Sequence, residues 1–271
     1  MTDCECVELL RWALPRLGYR WEGFRKVRRQ VCRRLARRMR ELGVGGAEEY
    51  RMLLESTPEE WPKLDALCRV TISRFSRDRG VFEFLAGEVL PALAAGAEER
   101  ERPLRAWSTG CASGEEPYTL ALAWELEVRP ERPAATLGIL ATDVDEAVLR
   151  RAKAGAYEES SLRDLPEEWR RRGFTRRGDR YFLRPRLRSL VTFERRDVRT
   201  PAPDGPFDLV LCRNLAFTYF SLEVQTRVAV EIARVLRPGG ALVVGSHERL
   251  PEGAAGFTPW RERLGVYRRA G

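Results

Sequence analysis

Apolar positions recur at helical spacing through the first third of the chain and thereafter fall into short runs. From Lys26 to Leu42, Val27, Val31, Leu35 and Met39 return every four residues, and Leu42 follows three later. One stripe of a helix carries them all, with arginines over the rest of its surface. Gly43, Gly45 and Gly46 end that helix in a turn; a second helix is expected over Ala47–Glu55, and Pro58 stands near the start of a third. From Leu104, short apolar runs alternate with amphipathic stretches: Leu104–Trp107, Pro117–Leu126, Thr136–Ala141, Glu146–Lys153, Phe207–Cys212, Leu222–Leu236 and Ala241–Gly245. Such alternation predicts βαβ units and a mostly parallel sheet with helices on both faces. Gly265–Arg268 is expected to close the sheet as an edge strand, and the polar, Arg-rich residues 158–190 break the pattern as an insertion. The expected organisation is a helical domain with linker at 1–88 and an α/β domain at 89–271.

Composition narrows this. The chain of 271 residues is 44% hydrophobic and 32% charged, enough for a buried core and a solvated surface. No uninterrupted apolar run approaches the roughly 20 residues that span a bilayer, and Met1–Leu14 lacks the apolar stretch of a secretory signal. A cytoplasmic location without membrane insertion is expected. Cys4, Cys6, Cys32, Cys68, Cys111 and Cys212 are scattered with no CxxC pair, and His247 is the only histidine. Zinc needs clustered ligands, and scattered thiols in such a chain are ordinarily reduced, so neither a metal nor a disulfide is expected. The net charge is +8, but residues 20–40 carry ten Lys/Arg against one acid and residues 170–199 twelve Arg against three acids. The rest of the chain is therefore acidic, and the two basic blocks suit an anionic partner.

The chemistry lies at the ends of the expected strands. The first turn reads Trp107-Ser-Thr-Gly-Cys-Ala-Ser-Gly-Glu-Glu116-Pro-Tyr, where Gly110 and Gly114 let the backbone turn sharply beneath a ligand. A phosphate site would favour backbone N–H groups or lysine here; Glu115 and Glu116 repel phosphate and suit a cationic ligand. Asp143 ends the second strand, where such folds hold ribose hydroxyls, while Asp145 suits the cap of the next helix. Asp197, with Val198, follows the Phe193 strand at the position that faces an adenine edge. Three acids at successive strand ends favour a phosphate-free ribonucleoside, with S-adenosylmethionine the candidate.

These motifs resemble a known family. GCASGEEPYT after Trp107, ATDVD at 141–145, FDLVLCRN at 207–214 and RPGGALVVG at 237–245 are similar to the CheR-type chemotaxis receptor glutamate O-methyltransferases. The resemblance extends through the basic helix and the TISRFSRD run at 71–78. It implies a small helical domain on a Rossmann-like class I methyltransferase domain with a short inserted β-subdomain. It also implies cofactor contacts at Thr71, Ser73, Arg77, Gly110, Glu116, Asp143, Asp197, Val198, Arg213 and Asn214, with Arg77 and Tyr219 beside the methyl-transfer centre. The implied product is S-adenosylhomocysteine, and the implied partner an acidic, chemoreceptor-like helical bundle met through residues 20–40 and 170–199.

Three departures accompany the resemblance. Ser76 replaces a usual phenylalanine. The run Leu215–Phe220 is one residue longer than usual, so the active-site tyrosine maps to Tyr219 if the extra residue loops out and otherwise to Thr218. The insertion is short, so no binding of a receptor tether pentapeptide is expected. His247, in an altered GSHE run, is expected at the rim with no catalytic role. Two other readings stay open: a methyltransferase for RNA or a small molecule, although neither basic block interleaves aromatics for base stacking, and a non-catalytic cofactor-binding regulator.

Overall fold

The computed structural model describes residues 2–254 and 256–271, which divide into two compact units. One comprises Met1–Thr71 with Thr218–Gln225, the other Ile72–Phe217 with Thr226–Gly271.

The first unit is helical: α1 (Asp3–Ala13), α2 (Trp21–Phe24), α3 (Arg28–Leu42), α4 (Ala47–Ser56) and α5 (Trp61–Cys68). A capping box starts α1, since the Thr2 hydroxyl accepts the Glu5 N–H and the Glu5 carboxylate accepts the Thr2 N–H. The periodic face of α3 buries Val31, Leu35 and Met39, and Gly43 stops the helix in the left-handed conformation. Inside the unit, Glu60 accepts Arg38 at 2.9 and 2.7 Å and the Tyr50 hydroxyl at 2.9 Å. The Arg38 hydrogen bonds hold the Glu60 carboxyl below its usual range despite burial. Residues 218–225 add Phe220, stacked on Tyr19 at 5.0 Å, and Tyr219, edge-on to Phe24 at 5.3 Å.

The expectation of no disulfide is corrected here. Cys6 of α1 and Cys32 of α3 are joined, with their Cα atoms 6.0 Å apart across 26 residues of sequence. No spacing motif announces such a pair; the packing of α1 against α3 creates it.

The second unit opens with a helical run of α6 (Arg79–Phe84), a π-helical stretch (Leu85–Val89) and α7 (Leu90–Glu98). Residue 88, the expected domain boundary, lies within this run. Val81, Phe82, Leu85, Val89, Leu90 and Ala94 all belong to the core of the α/β unit, which ties the run to that unit. Arg79–Glu98 is long and apolar enough, by length and composition, to cross a membrane. The demand for those apolar side chains is met by the core.

The large sheet contains β1 (Leu104–Thr109), β2 (Leu137–Asp143), β6 (Val191–Arg195), β7 (Phe207–Cys212), β8 (Leu236–Val244), β9 (Phe257–Arg261) and β10 (Val266–Arg269). Its order is β6-β2-β1-β7-β8-β10-β9. The first five run parallel, in register Leu104↔Leu137 between β1 and β2 and Ala106↔Leu209 between β1 and β7. The strand expected at the edge, β10, lies antiparallel between β8 and β9. The true edge, β9, contains Pro259, which lacks an N–H and hides the strand from sequence reading. A smaller antiparallel sheet, β3 (Ala156–Glu158), β4 (Phe174–Arg177) and β5 (Arg180–Leu183), is built around the expected insertion. The remaining helices are α8 (Glu115–Ala123), α9 (Glu146–Ala154), α10 (Glu167–Gly173), α11 (Pro185–Arg188), α12 (Ala216–Tyr219) and α13 (Leu222–Val235). The strand order reverses at β1, with β2 on one side and β7 on the other, so a ligand crevice belongs at the carboxyl ends of these strands.

The Cys6–Cys32 bond predicts that denatured, unreduced protein titrates four thiols with a chromogenic disulfide reagent. Six would show that the bond does not form.

Candidate functional site

The loop after β1 is held from beneath by β2. Gly110 and Cys111 both donate their N–H to the Thr142 carbonyl, at 2.8 and 3.0 Å. Asp143 Oδ2 accepts the Ala112 N–H at 2.9 Å, and its Oδ1 accepts the Asp145 N–H at 2.9 Å. These two bonds fix the Asp143 carboxylate at the carboxyl end of β2, beside the loop after β1. Both loop glycines are required. Gly110 has φ +69°, and a Cβ there would lie 2.5 Å from Leu215 Cδ2. Gly114 has φ +90° and would press Ala152, Tyr157 and Tyr118 at 3.0–3.2 Å. Asp145 caps α9, accepting from the N–H groups of Ala147 and Val148.

Glu116, in the first turn of α8, sits at the centre of a buried network. Its Oε1 accepts the Ser108 hydroxyl at 2.8 Å, and its Oε2 accepts Arg213 Nη1 at 3.1 Å. Arg213 Nη2 donates to the Arg77 carbonyl at 2.9 Å and to Asp78 Oδ2 at 2.8 Å. The Arg213 side chain is only 1% exposed, and its guanidinium lies 5.1 Å from the Phe82 ring centroid. Burial pushes the Glu116 carboxyl up, and the Arg213 charge opposes this. Burial likewise raises Glu115, countered in part by the Ser73 hydroxyl.

The segment carrying Arg77 is pinned on both sides. Phe75 is fully buried, edge-on to Tyr157 and Phe174 at 4.8 and 5.2 Å. Ser76, with φ +51°, donates its N–H to Thr119 Oγ1 at 3.1 Å, and Asp78 also has positive φ, +59°. Non-glycine residues hold this conformation only where their surroundings over-determine it. Arg77 is half-buried, with Nη1 on the Ile72 carbonyl at 3.1 Å, and its charge reaches Glu116.

The second unit therefore gathers Ser73, Arg77, Gly110, Glu116, Asp143, Arg213 and Asn214 around the carboxyl ends of β1, β2 and β7. Asp197 and the half-buried Val198 follow β6, and the Asp197 carboxylate is clasped by Arg199 at 2.6–3.0 Å. Thr71 and Tyr219 belong to the first unit. Arg213, expected at the cofactor, donates to Glu116, the Arg77 carbonyl and Asp78, and its Nε is buried without a hydrogen-bond partner.

Two residues escaped sequence reading. Ser108 is fully buried within β1 and reads as a core position. Glu248 is 4% exposed, and its Oε2 accepts the N–H of Asn214 at 2.7 Å and of Gly245 at 2.6 Å, tying the ends of β7 and β8. The available signal was an acid following a fourth buried strand, as at the other three. His247, beside it, is exposed in the turn.

The arrangement suits a cation bearing hydroxyl groups. Glu115, Glu116, Asp143, Asp197 and Glu248 ring the strand ends, and Glu115 Oε2 is buried without a hydrogen-bond partner. Cys111 and Cys212 are unsuited to nucleophilic work, because burial and neighbouring carboxylates push both thiols well above their usual range. Among the described residues no group of His, Cys, Asp or Glu is placed to hold a metal ion. These residues fit S-adenosylmethionine, a sulfonium with a ribonucleoside.

Removing Arg213 should strand a buried carboxylate. Arg213→Ala is expected to cost about 3–5 kcal/mol of stability at neutral pH. Losing the cation raises the Glu116 pKa further in the folded state, so stability is retained below the unfolded value and lost as pH rises through the folded one. Denaturant unfolding should thus show a larger deficit relative to wild type at pH 8 than at pH 5; an equal deficit would contradict this.

Comparison with known proteins gives the same assignment. Residues 71–263 match the family model of the CheR methyltransferase, SAM binding domain. The chain is 36% identical over 185 residues to the chemotaxis protein methyltransferase of Listeria monocytogenes, covering 68% of each. It is 34% identical over 227 residues to a probable chemotaxis protein methyltransferase of Rhizobium etli, covering 81% of this chain and 84% of that one. Against the chemotaxis protein methyltransferase of Klebsiella aerogenes, identity is 33% over 233 residues, covering 83% and 77%. With its acid-ringed strand ends and a match over most of its length, the chain belongs to the CheR family of S-adenosylmethionine-dependent methyltransferases.

Proposed function

We propose that the protein forms methyl esters on glutamate side chains of a chemoreceptor-like helical partner. The observation that carries the choice of acceptor is the outer face of α3. Arg29, Arg33, Arg37 and Arg40 are exposed at spacings of four, four and three, opposite the buried Val31, Leu35 and Met39. Such a stripe complements the acidic face of another helix. In this reading the second block, residues 170–199, contributes to the same recognition. The edges of the small sheet are only three and four residues long, which supports the expectation that no tether pentapeptide is gripped by strand pairing.

When bound, S-adenosylmethionine supplies an electrophilic methyl group on sulfur. Asp143 is proposed to hold the ribose hydroxyls, Asp197 with Val198 the adenine edge, and Glu116, Asn214, Ser73 and Thr71 the remaining polar contacts. Arg213 contributes by fixing Glu116. A glutamate acceptor is already ionised at neutral pH, so no strong base is needed. The protein's work is to align a carboxylate oxygen and exclude water. Arg77 is proposed to hold the acceptor carboxylate and Tyr219 to donate it a hydrogen bond.

With methyl-labelled S-adenosylmethionine and cell lysate, label should sit on protein and leave as methanol under mild base. Label on RNA or a small molecule would sink the acceptor assignment, and cofactor binding without any transfer would support a regulatory module. Reversing charge at Arg29, Arg33 and Arg37 together should raise KM for the protein substrate at least tenfold and leave cofactor affinity unchanged. Asp143→Asn should weaken cofactor binding about tenfold to a hundredfold, the worth of hydrogen bonds to a charged group; an unchanged Kd in calorimetry would remove Asp143 from the site.

A further inference from the structure

The parallel strands that end in carboxylates begin among arginines. At the amino ends of β1, β7 and β8 lies an open cavity of about 410 Å³, lined by Arg100, Arg102, Arg237, Asp208 and the backbone of Gly239 and Gly240. Asp208, 3% exposed, is the only acid of the lining. Its carboxylate is already occupied. Arg102 donates to it twice, at 2.9 and 2.7 Å, and the Arg105 N–H donates to Oδ2 at 2.9 Å. Arg237 Nε lies 3.5 Å from Oδ1 without hydrogen-bond geometry.

Three guanidiniums thus face the cavity against one carboxylate. The Nε atoms of Arg102 and Arg237 are both buried without a hydrogen-bond partner. Both atoms are shielded from the cavity by the fold, so what the cavity itself offers is surplus positive charge, since the one carboxylate is already taken by Arg102 and the Arg105 N–H. The cationic crowding is felt electrostatically. Burial, followed by repulsion from Arg102, Arg105 and Arg100, lowers the Arg237 pKa, although Asp208 pulls the other way. Arg100 is held toward the cavity by its Nη1 bond to the Gly96 carbonyl at 2.6 Å. Ala92 and Leu93 add an apolar wall.

We propose that this cavity binds a phosphate group, at the rim of the sheet opposite the cofactor site. A tetrahedral dianion offsets the surplus charge of the guanidiniums that line the cavity. Guanidinium forks match its geometry, and the small glycine backbone leaves it room. The apolar wall would further accept the organic part of a phosphate ester.

Calorimetric titration of the full chain with inorganic phosphate, and separately with phenyl phosphate, tests this at fixed ionic strength against chloride. Saturable one-site binding is expected, weakened at least tenfold by Arg100→Gln with Arg237→Gln. S-adenosylmethionine should bind the double variant with wild-type affinity, which shows the fold intact; Arg100→Gln alone, a change at the surface, serves if the double variant unfolds. Tighter binding of phenyl phosphate identifies an ester and equal binding free phosphate, and both uphold the site. A response shared by chloride, or phosphate affinity unchanged in the variants, would overturn it.

Discussion

One buried guanidinium holds the cofactor end of the second unit together. Arg213 links the segment before α6, the first turn of α8 and the end of β7, which are far apart in sequence, through the Arg77 carbonyl, Asp78 and Glu116. Neither partner alone is tolerable in that setting. An isolated buried charge costs several kcal/mol, and only a complete set of partners offsets it. The network therefore forms as a whole, and forming it fixes three things: Glu116 at the site, the backbone of Arg77 in its place, and Asn214 at the end of β7. Glu248 does the same for the neighbouring strand by binding two backbone N–H groups with a single oxygen.

The sheet is polarised by side chains rather than by its backbone, since strands contribute little net dipole. Carboxylates gather at the carboxyl ends of the parallel strands and arginines at their amino ends. β7 displays both, with Asp208 buried among arginines at its start and Arg213 buried among acids at its finish. Each charge is kept by partners from other elements, so the strand is held at both ends by interactions that exist only in the folded chain. The middle of the strand is wholly apolar and fully buried, which leaves the ends as the only places for chemistry.

Much of this was legible in the sequence, and the legible parts are local. The helix of Val31, Leu35 and Met39, the stop at Gly43, the cap at Asp145 and the strand Phe207–Cys212 each follow from a few neighbouring residues. The acids at 116, 143 and 197 stood out because a strand end followed by an acid is itself a local pattern. The helix from Arg79 to Glu98 was harder to assign, because its apolar face suits either of two cores and only packing says which.

What the sequence by itself determined is the alternation of elements, the family motifs and the residue types at the strand ends. What only the tertiary structure decided is which of those residues meet. Arg213 turned inward because three acceptors converge on it; Ser108 and Glu248 acquired roles from neighbours eight and thirty-four residues away in sequence. Cys6 met Cys32, and β10 moved inside the edge, because α1 packs on α3 and β9 pairs outside it. Local pattern encodes propensity, whereas the pairing of buried charges, thiols and strand edges is set by long-range geometry that no short window of sequence contains.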